Sequence, residues 1–191
     1  LLWRFPRRRL EGEAIRDTML QVSGLLSVKM YGPGVFPPLP EGVVTRGGWK
    51  TKEDAEEANR RSVYVFVRRN TRYPMFEAFD MPDTHESCAR RNQTVTPSQA
   101  LELMNNQLVF DWSRAFAHRA ANDAGMTSGA LVERVYRLAY SRAPNADEIR
   151  AGQDFLERQR KLLAGHADAD QRALTDLCHA IFNSNEFLHL N

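Results

Sequence analysis

The sequence predicts a mainly α fold, with a helical bundle in the C-terminal half, a loop-rich N-terminal half and at most one or two short strands. Three observations predict it. Beyond Thr96, apolar residues recur at helical spacing in segments separated by short connectors. Before Thr96, prolines and glycines crowd the chain, above all in Gly32-Pro33-Gly34-Val35-Phe36-Pro37-Pro38-Leu39-Pro40. Several helical segments open on capping patterns, such as Thr96-Pro97-Ser98-Gln99 and Asn145-Ala146-Asp147-Glu148.

A chain of 191 residues can bury a core of its own. It reads as one domain over residues 1–191, a loop-rich wrap with one long helix at 1–95 and a helical bundle at 96–191. Charged residues make up 26% and hydrophobic residues 42%, an ordinary soluble balance. No run of about 18 apolar residues offers a transmembrane span. The start at Leu1-Leu2-Trp3, without Met, leads us to expect a fragment of a larger protein. The net charge of +2 argues against a nucleic-acid binder. It is unevenly spread: residues 1–91 hold 16 Lys and Arg against 12 Asp and Glu, which leaves the remaining residues slightly acidic.

In chain order, Glu13 to Leu26 reads as an amphipathic helix with Ile15, Met19, Val22 and Leu26 inward and Arg16, Asp17 and Gln21 elsewhere. Trp3 and Phe5 are expected to pack on it or to meet another polypeptide. Residues 30–49 form a loop anchored by Phe36 and Leu39. A short acidic helix starts near Asp54. Ser62 to Arg68 alternates Val63, Val65 and Val67 with Tyr64 and Phe66, which predicts a short extended segment buried on both faces. Pro74 and Pro82 leave room for only one short helical turn between them. Thr96 caps a helix bearing Ala100, Leu101, Met104 and Leu108. It runs to about Ala121 as one piece or breaks near Asn105-Asn106, with Trp112, Ala115, Phe116 and Arg119 continuing the stripe. Helices follow over Ala130–Tyr140 (Leu131, Val135, Leu138 inward), from Asn145 to about Leu163, and from about Asp170 to Asn183, which buries Leu174, Leu177, Cys178 and Ile181 with Phe182 on the flank. Ser184 caps a last turn with Phe187 and Leu188. Short connectors make these helices antiparallel neighbours.

These motifs carry a resemblance. Leu2-Trp3-Arg4-Phe5-Pro6-Arg7-Arg8-Arg9-Leu10 with Glu13-Ala14-Ile15-Arg16-Asp17, then Gly32-Pro33-Gly34-Val35-Phe36-Pro37-Pro38, Arg60-Arg61-Ser62-Val63-Tyr64, Phe79-Asp80-Met81-Pro82-Asp83, Thr96-Pro97-Ser98-Gln99-Ala100-Leu101 and Asn183-Ser184-Asn185-Glu186-Phe187 resemble, in this order, the planctomycete PSD domain, domain of unknown function 1553. The resemblance implies an exported or cell-surface, periplasmic setting and a large multidomain protein, often with a cytochrome-c-like domain upstream. It supplies no catalytic residues. The chain lacks a CxxCH motif, so the resemblance places any haem in upstream domains, and it starts inside the domain usual for that family.

Candidate site residues cluster in the central stretch. Arg60, Arg61, Arg68, Arg69, Arg90 and Arg91 read either as sites for an anionic ligand or as scaffold arginines bonded to the domain's own carboxylates and carbonyls. The scaffold reading leads us to expect internal partners for Arg60, Arg61, Arg90 and Arg91. Asp80, Asp83 and His85, with Glu86 and Cys88, crowd metal-ligand residue types within nine positions, but their spacing matches no established metal loop, so turn-capping is the preferred role and no metal is expected. The remaining histidines, His118, His166, His179 and His189, are scattered, with none four residues from another. Trp3, Trp49 and Trp112 are candidates for a sugar platform, although Trp112 lies on a core stripe. Cys88 and Cys178 could be bonded or free. No GxSxG, HExxH, P-loop or GxGxxG pattern is present. The expected function is a non-catalytic structural or interaction domain whose partners are upstream domains or another polypeptide. The alternative is a carbohydrate-active or anionic-polysaccharide-binding module.

Overall fold

Helix α1 (Gly12–Ser23) ends at Gly24, whose φ of 78° glycine adopts without strain. Gly24 N–H donates to Gln21 O at 3.2 Å, and the last turn takes further donors from the side. Arg119 reaches over from a neighbouring helix and donates to Gln21 O at 2.7 Å and Val22 O at 2.8 Å. A cation at a helix C-terminus also opposes the helix dipole. The computed structural model describes residues 7–40, 43, 49, 51, 54–68, 71–122 and 127–190.

The segment between α1 and Pro97 has little regular structure. It contains α2 (Ala55–Ala58), capped by Asp54, a 3-10 turn at Ser62–Tyr64, and α3 (Pro74–Ala78). Single-residue parallel bridges join Ser27 to Arg60 and Val35 to Val65. The extended segment expected at Ser62–Arg68 is therefore a helical turn followed by single-residue bridges at Val65 and Arg68. It is not buried on both faces: Val65 is buried, while Val63 is 74% exposed. The reason is that, among the described residues, backbone pairing from outside the segment comes only from Val35, which accepts from Phe66 N–H and donates to Tyr64 O, and from Thr71, which donates to Arg68 O. Phe36 and Leu39 pack against the core as expected, and Trp49 is a further anchor. Trp49 donates from Nε1 to Pro37 O at 2.8 Å, meets Phe36 edge-on and stacks over Tyr73.

The bundle comprises α4 (Pro97–Asn105), α5 (Gln107–Ala121), α6 (Ser128–Tyr140), α7 (Ala146–Leu162), α8 (Ala169–Phe182) and α9 (Asn185–Leu188). The break between α4 and α5 is at Asn106, whose side chain accepts from Leu108 N–H and so starts a new helix. α5 is the central rod: it packs against α8, α1, α6 and α4. Phe182, expected on the flank of α8, is fully buried between Phe116 and Phe187. α4 turns differently from its apolar stripe. Gln99 and Leu103 are buried, and Leu101 and Met104 face solvent, because the break at Asn106 frees α4 from continuing the face of α5. On α6 the buried pair is Val132 and Val135, with Leu131 and Leu138 at the margin. Gly152 of α7 lies against Val132: a Cβ there would sit 2.7 Å from a valine methyl.

Two short strands, β1 (Arg8–Arg9) and β2 (His189–Leu190), pair antiparallel with Arg8 opposite Leu190. They join the two ends of the described chain. The predicted mainly α class holds, with strands limited to this pair among the described residues. Among those residues, no helix is long and apolar enough to cross a membrane.

Candidate functional site

Two buried arginines sit where α1 meets the loops. Arg16, expected off the apolar face, is 1% exposed. It donates to Arg60 O at 2.9 Å, Ala58 O at 2.7 Å and Ser62 Oγ at 3.2 Å. Asp17 beside it accepts from both the amide and the hydroxyl of Ser62. Burial lowers the pKa of the Arg16 guanidinium, with Tyr73 and Asp17 acting in the opposite sense. Arg60 is fully buried and binds the turn at residues 29–33. It donates to Lys29 O, Pro33 O and Tyr31 O, pairs with Glu57 at 3.5 Å and lies 3.9 Å over the Tyr64 ring. That turn holds Tyr31 at a φ of 63°, a left-handed conformation costly for a side chain of its size. The Arg60 bonds, with the Tyr64 hydroxyl accepting from Tyr31 N–H, stabilise it.

The acidic turn is arranged by a third arginine. Asp80, at a φ of 63°, accepts from Arg9 at 2.6 Å and from the amide and hydroxyl of Thr94, each at 2.8 Å. Burial pushes this carboxyl up, but the Thr94 bonds and Arg9 outweigh it and hold it below the usual carboxylate range. Arg9 also donates to Thr94 O and Leu10 O and lies over the Phe79 ring. The chain around Asp80 is thus tied to β1. Asp83 accepts from the His85 amide at 3.0 Å, a local turn bond that lowers its carboxyl; the Asp83 and His85 side chains are exposed. Cys88 is exposed and free, and Cys178 is free in the core, where burial raises its thiol pKa.

The other candidate arginines separate. Arg91 bonds Glu11 at 3.0 Å and Glu13 at 2.9 Å. Arg61 and Arg90 are exposed and make no side-chain bond to a described residue, unlike the internal partners expected for them. Arg68 forms a one-residue bridge with Thr71, and Arg69 lies outside the described residues, as do Trp3 and Phe5. Arg90 and Arg91 instead meet Arg7 and Arg8 across a cleft of about 1010 Å³. Trp49 and Trp112 are buried and offer no open sugar platform.

A separate ionic group closes the bundle end. Arg142 bridges Glu148 and Glu186 with four hydrogen bonds of 2.6–2.8 Å. The Arg142 bonds, joined by the Asn145 amide, bring the Glu148 carboxyl down to about 2. Nearby, burial pushes Tyr140 up to about 12, against a hydrogen bond to Ser184.

Sequence reasoning missed Arg9, Arg16, Glu57 and Thr94 as partners. For Arg16 a signal existed: Gly12, Arg16 and Leu20 recur every four residues beside the apolar stripe, and all three are buried. Nothing local marked Thr94, which reaches Asp80 only through the fold.

A family model described as PSD1, protein of unknown function (DUF1553), matches residues 1–156. Neither the curated proteins nor the solved structures contain a match to the chain.

Proposed function

The chain belongs to the PSD1 family of proteins of unknown function (DUF1553), and from that premise we propose that it is a non-catalytic structural domain for interaction within a larger exported protein. One observation carries this reading. Buried and half-buried charged groups at the junction of α1 with the central stretch are spent on the chain itself: Arg60 on three loop carbonyls and Glu57, Asp80 on Arg9 and Thr94, Asp17 on Ser62. A catalytic acid or base needs a free path to substrate. Asp80, hydrogen-bonded by three donor groups and depressed in pKa, is poorly suited to proton transfer near neutral pH. α1 packs on α5, which supports a single folding unit across both halves. The partner in this reading is another domain of the same protein or a second polypeptide, and any haem belongs to such a domain. Co-expression of this chain with the rest of its full-length protein as a separate polypeptide tests the proposal. A stoichiometric complex on size-exclusion chromatography is expected. Separate elution, or an Asp80→Asn full-length protein that stays folded but loses a measurable enzymatic activity, contradicts it.

A further inference from the structure

From the cleft between β1 and the 90–93 segment, we infer a binding site for an acidic polysaccharide, a sugar polymer bearing carboxylate or sulfate groups. The inference stands apart from the structural role and rests on charge that the fold leaves unspent. Arg7, Arg8, Arg90 and Arg91 line the cleft, with Glu11 as its single carboxylate among the described residues. Arg91 is shared between Glu11 and Glu13, and Arg8 reaches Glu11 at 3.9 Å. Four guanidiniums against Glu11 and Glu13 leave a surplus of two positive charges (4 − 2). That surplus resides on Arg7 and Arg90, which make no side-chain bond to any described residue.

The arrangement comes from the fold. Arg7 and Arg8 stand here because β1 pairs with β2 and because Arg9 fastens to Thr94 and Asp80. Sequence places the two arginine pairs about eighty residues apart. A guanidinium fork matches the planar oxygens of a carboxylate or sulfate. The amides of Asn92 and Gln93 add donors and acceptors of the kind that sugar hydroxyls bond. A volume of about 1010 Å³ far exceeds a single inorganic anion. Arg7 also lines a second hollow of about 520 Å³ with Val95, Asn185, Glu186 and His189, where the Glu186 carboxylate is paired with Arg142, so the surface extends along a polymer. An acidic peptide is the weaker fit: among the described residues, the first cleft presents no apolar side chain for an anchor. Among the described residues it presents no aromatic ring for stacking nucleic-acid bases either.

Isothermal titration of the full chain with polygalacturonate and with dextran sulfate tests the site, with neutral dextran and poly-glutamate as comparisons. Binding of at least one acidic polysaccharide, weakened by added salt and absent for neutral dextran, is expected. The Arg7→Ala/Arg90→Ala variant is expected to bind at least roughly tenfold more weakly with an unchanged melting temperature, since two charge-assisted contacts are removed. Arg158→Ala, an exposed α7 arginine outside the cleft, is expected to bind as the unaltered chain does. Binding of polygalacturonate alone assigns carboxylate, and of dextran sulfate alone assigns sulfate; either supports the site. Three results overturn it: no binding of either polymer, undiminished binding by the double variant, or tighter binding of poly-glutamate than of both polysaccharides. If the double variant melts lower, Arg90→Gln alone is read by the same criteria. These results are independent of complex formation with the remainder of the protein.

Discussion

In residues 97–188 helix ends are closed by short side chains, Asn106, Asn145 and Ser184 among them, and the interior is mostly apolar, with buried Ser113 and Thr175 bonding carbonyls of their own helices. In residues 7–95 helices are short apart from α1, and Arg9, Arg16 and Arg60 reach into the interior to bond loop carbonyls. The difference follows from where backbone groups find partners. A helix satisfies its own N–H and C=O groups except at its ends, so its packing face can be wholly apolar. A loop buried against a core leaves carbonyls unpaired, and each costs free energy unless a donor arrives. One guanidinium brings five N–H donors. Arg60 alone serves Lys29, Tyr31 and Pro33.

The largest effect is expected in the apolar half. Phe182 has no exposure and packs 5.4 Å from Phe116 and 5.0 Å from Phe187, centroid to centroid. Phe182→Ala should cost about 3–5 kcal/mol in urea unfolding, and Phe182→Leu distinctly less. Equal losses for the two would mean that ring packing is not what holds this half.

A smaller loss is expected at the contact of α6 and α7. Gly152→Ala places a methyl 2.7 Å from a Val132 methyl. Overpacking of about 1–3 kcal/mol exceeds the gain in helix propensity of up to about 1 kcal/mol. Adding Val132→Ala should bring the thermal midpoint of Gly152→Ala back up relative to Val132→Ala alone. Without such coupling, the close approach is not the cause.

The ionic end of the bundle gives a pH signature. Because the folded Glu148 carboxyl titrates near about 2, below its ordinary value of 4.5, its contribution is present above that ordinary value and is lost as pH falls towards about 2. The stability advantage of the unaltered chain over Glu148→Gln should shrink across this window. A constant difference from pH 6 to pH 2 would contradict the assignment to Glu148.

The smallest effect sharpens the contrast within the loop-rich half. Arg90→Ala should move stability by no more than about 0.5 kcal/mol, as for a surface side chain without partners. A large loss of thermal stability would show that Arg90 is spent internally, as Arg91 is.

Legibility in the sequence follows the same division. Helix starts at Pro97, Ala146 and Asn185 could be read because their caps lie within three residues, and the break at Asn106 because asparagine competes for local amides. The faces of α4 were misread because Leu101 and Met104 are spaced like a core stripe, yet tertiary packing chose Gln99 and Leu103. In the loop-rich half, the arginine clusters were visible but their division was not. Whether Arg60 or Arg61 turns inward depends on the 3-10 turn at Ser62 and on carbonyls some thirty residues earlier. The cleft was equally hidden, since Arg7 and Arg90 become neighbours only through the strand pair and the Arg9–Asp80 bond.

Hydrogen exchange on Arg60→Met tests most directly the claim that guanidiniums hold the loop-rich half. The amides of Ser27, Val35 and Phe66, which bond across the 27–35 and 59–66 segments, report on that half. Phe116 in α5 and Leu177 in α8 report on the bundle. The account predicts that exchange at Ser27, Val35 and Phe66 speeds up by at least roughly tenfold, a local loosening of about 1.4 kcal/mol, while Phe116 and Leu177 keep their protection. Unchanged exchange at the three loop amides, or an equal loss at all five, would contradict it.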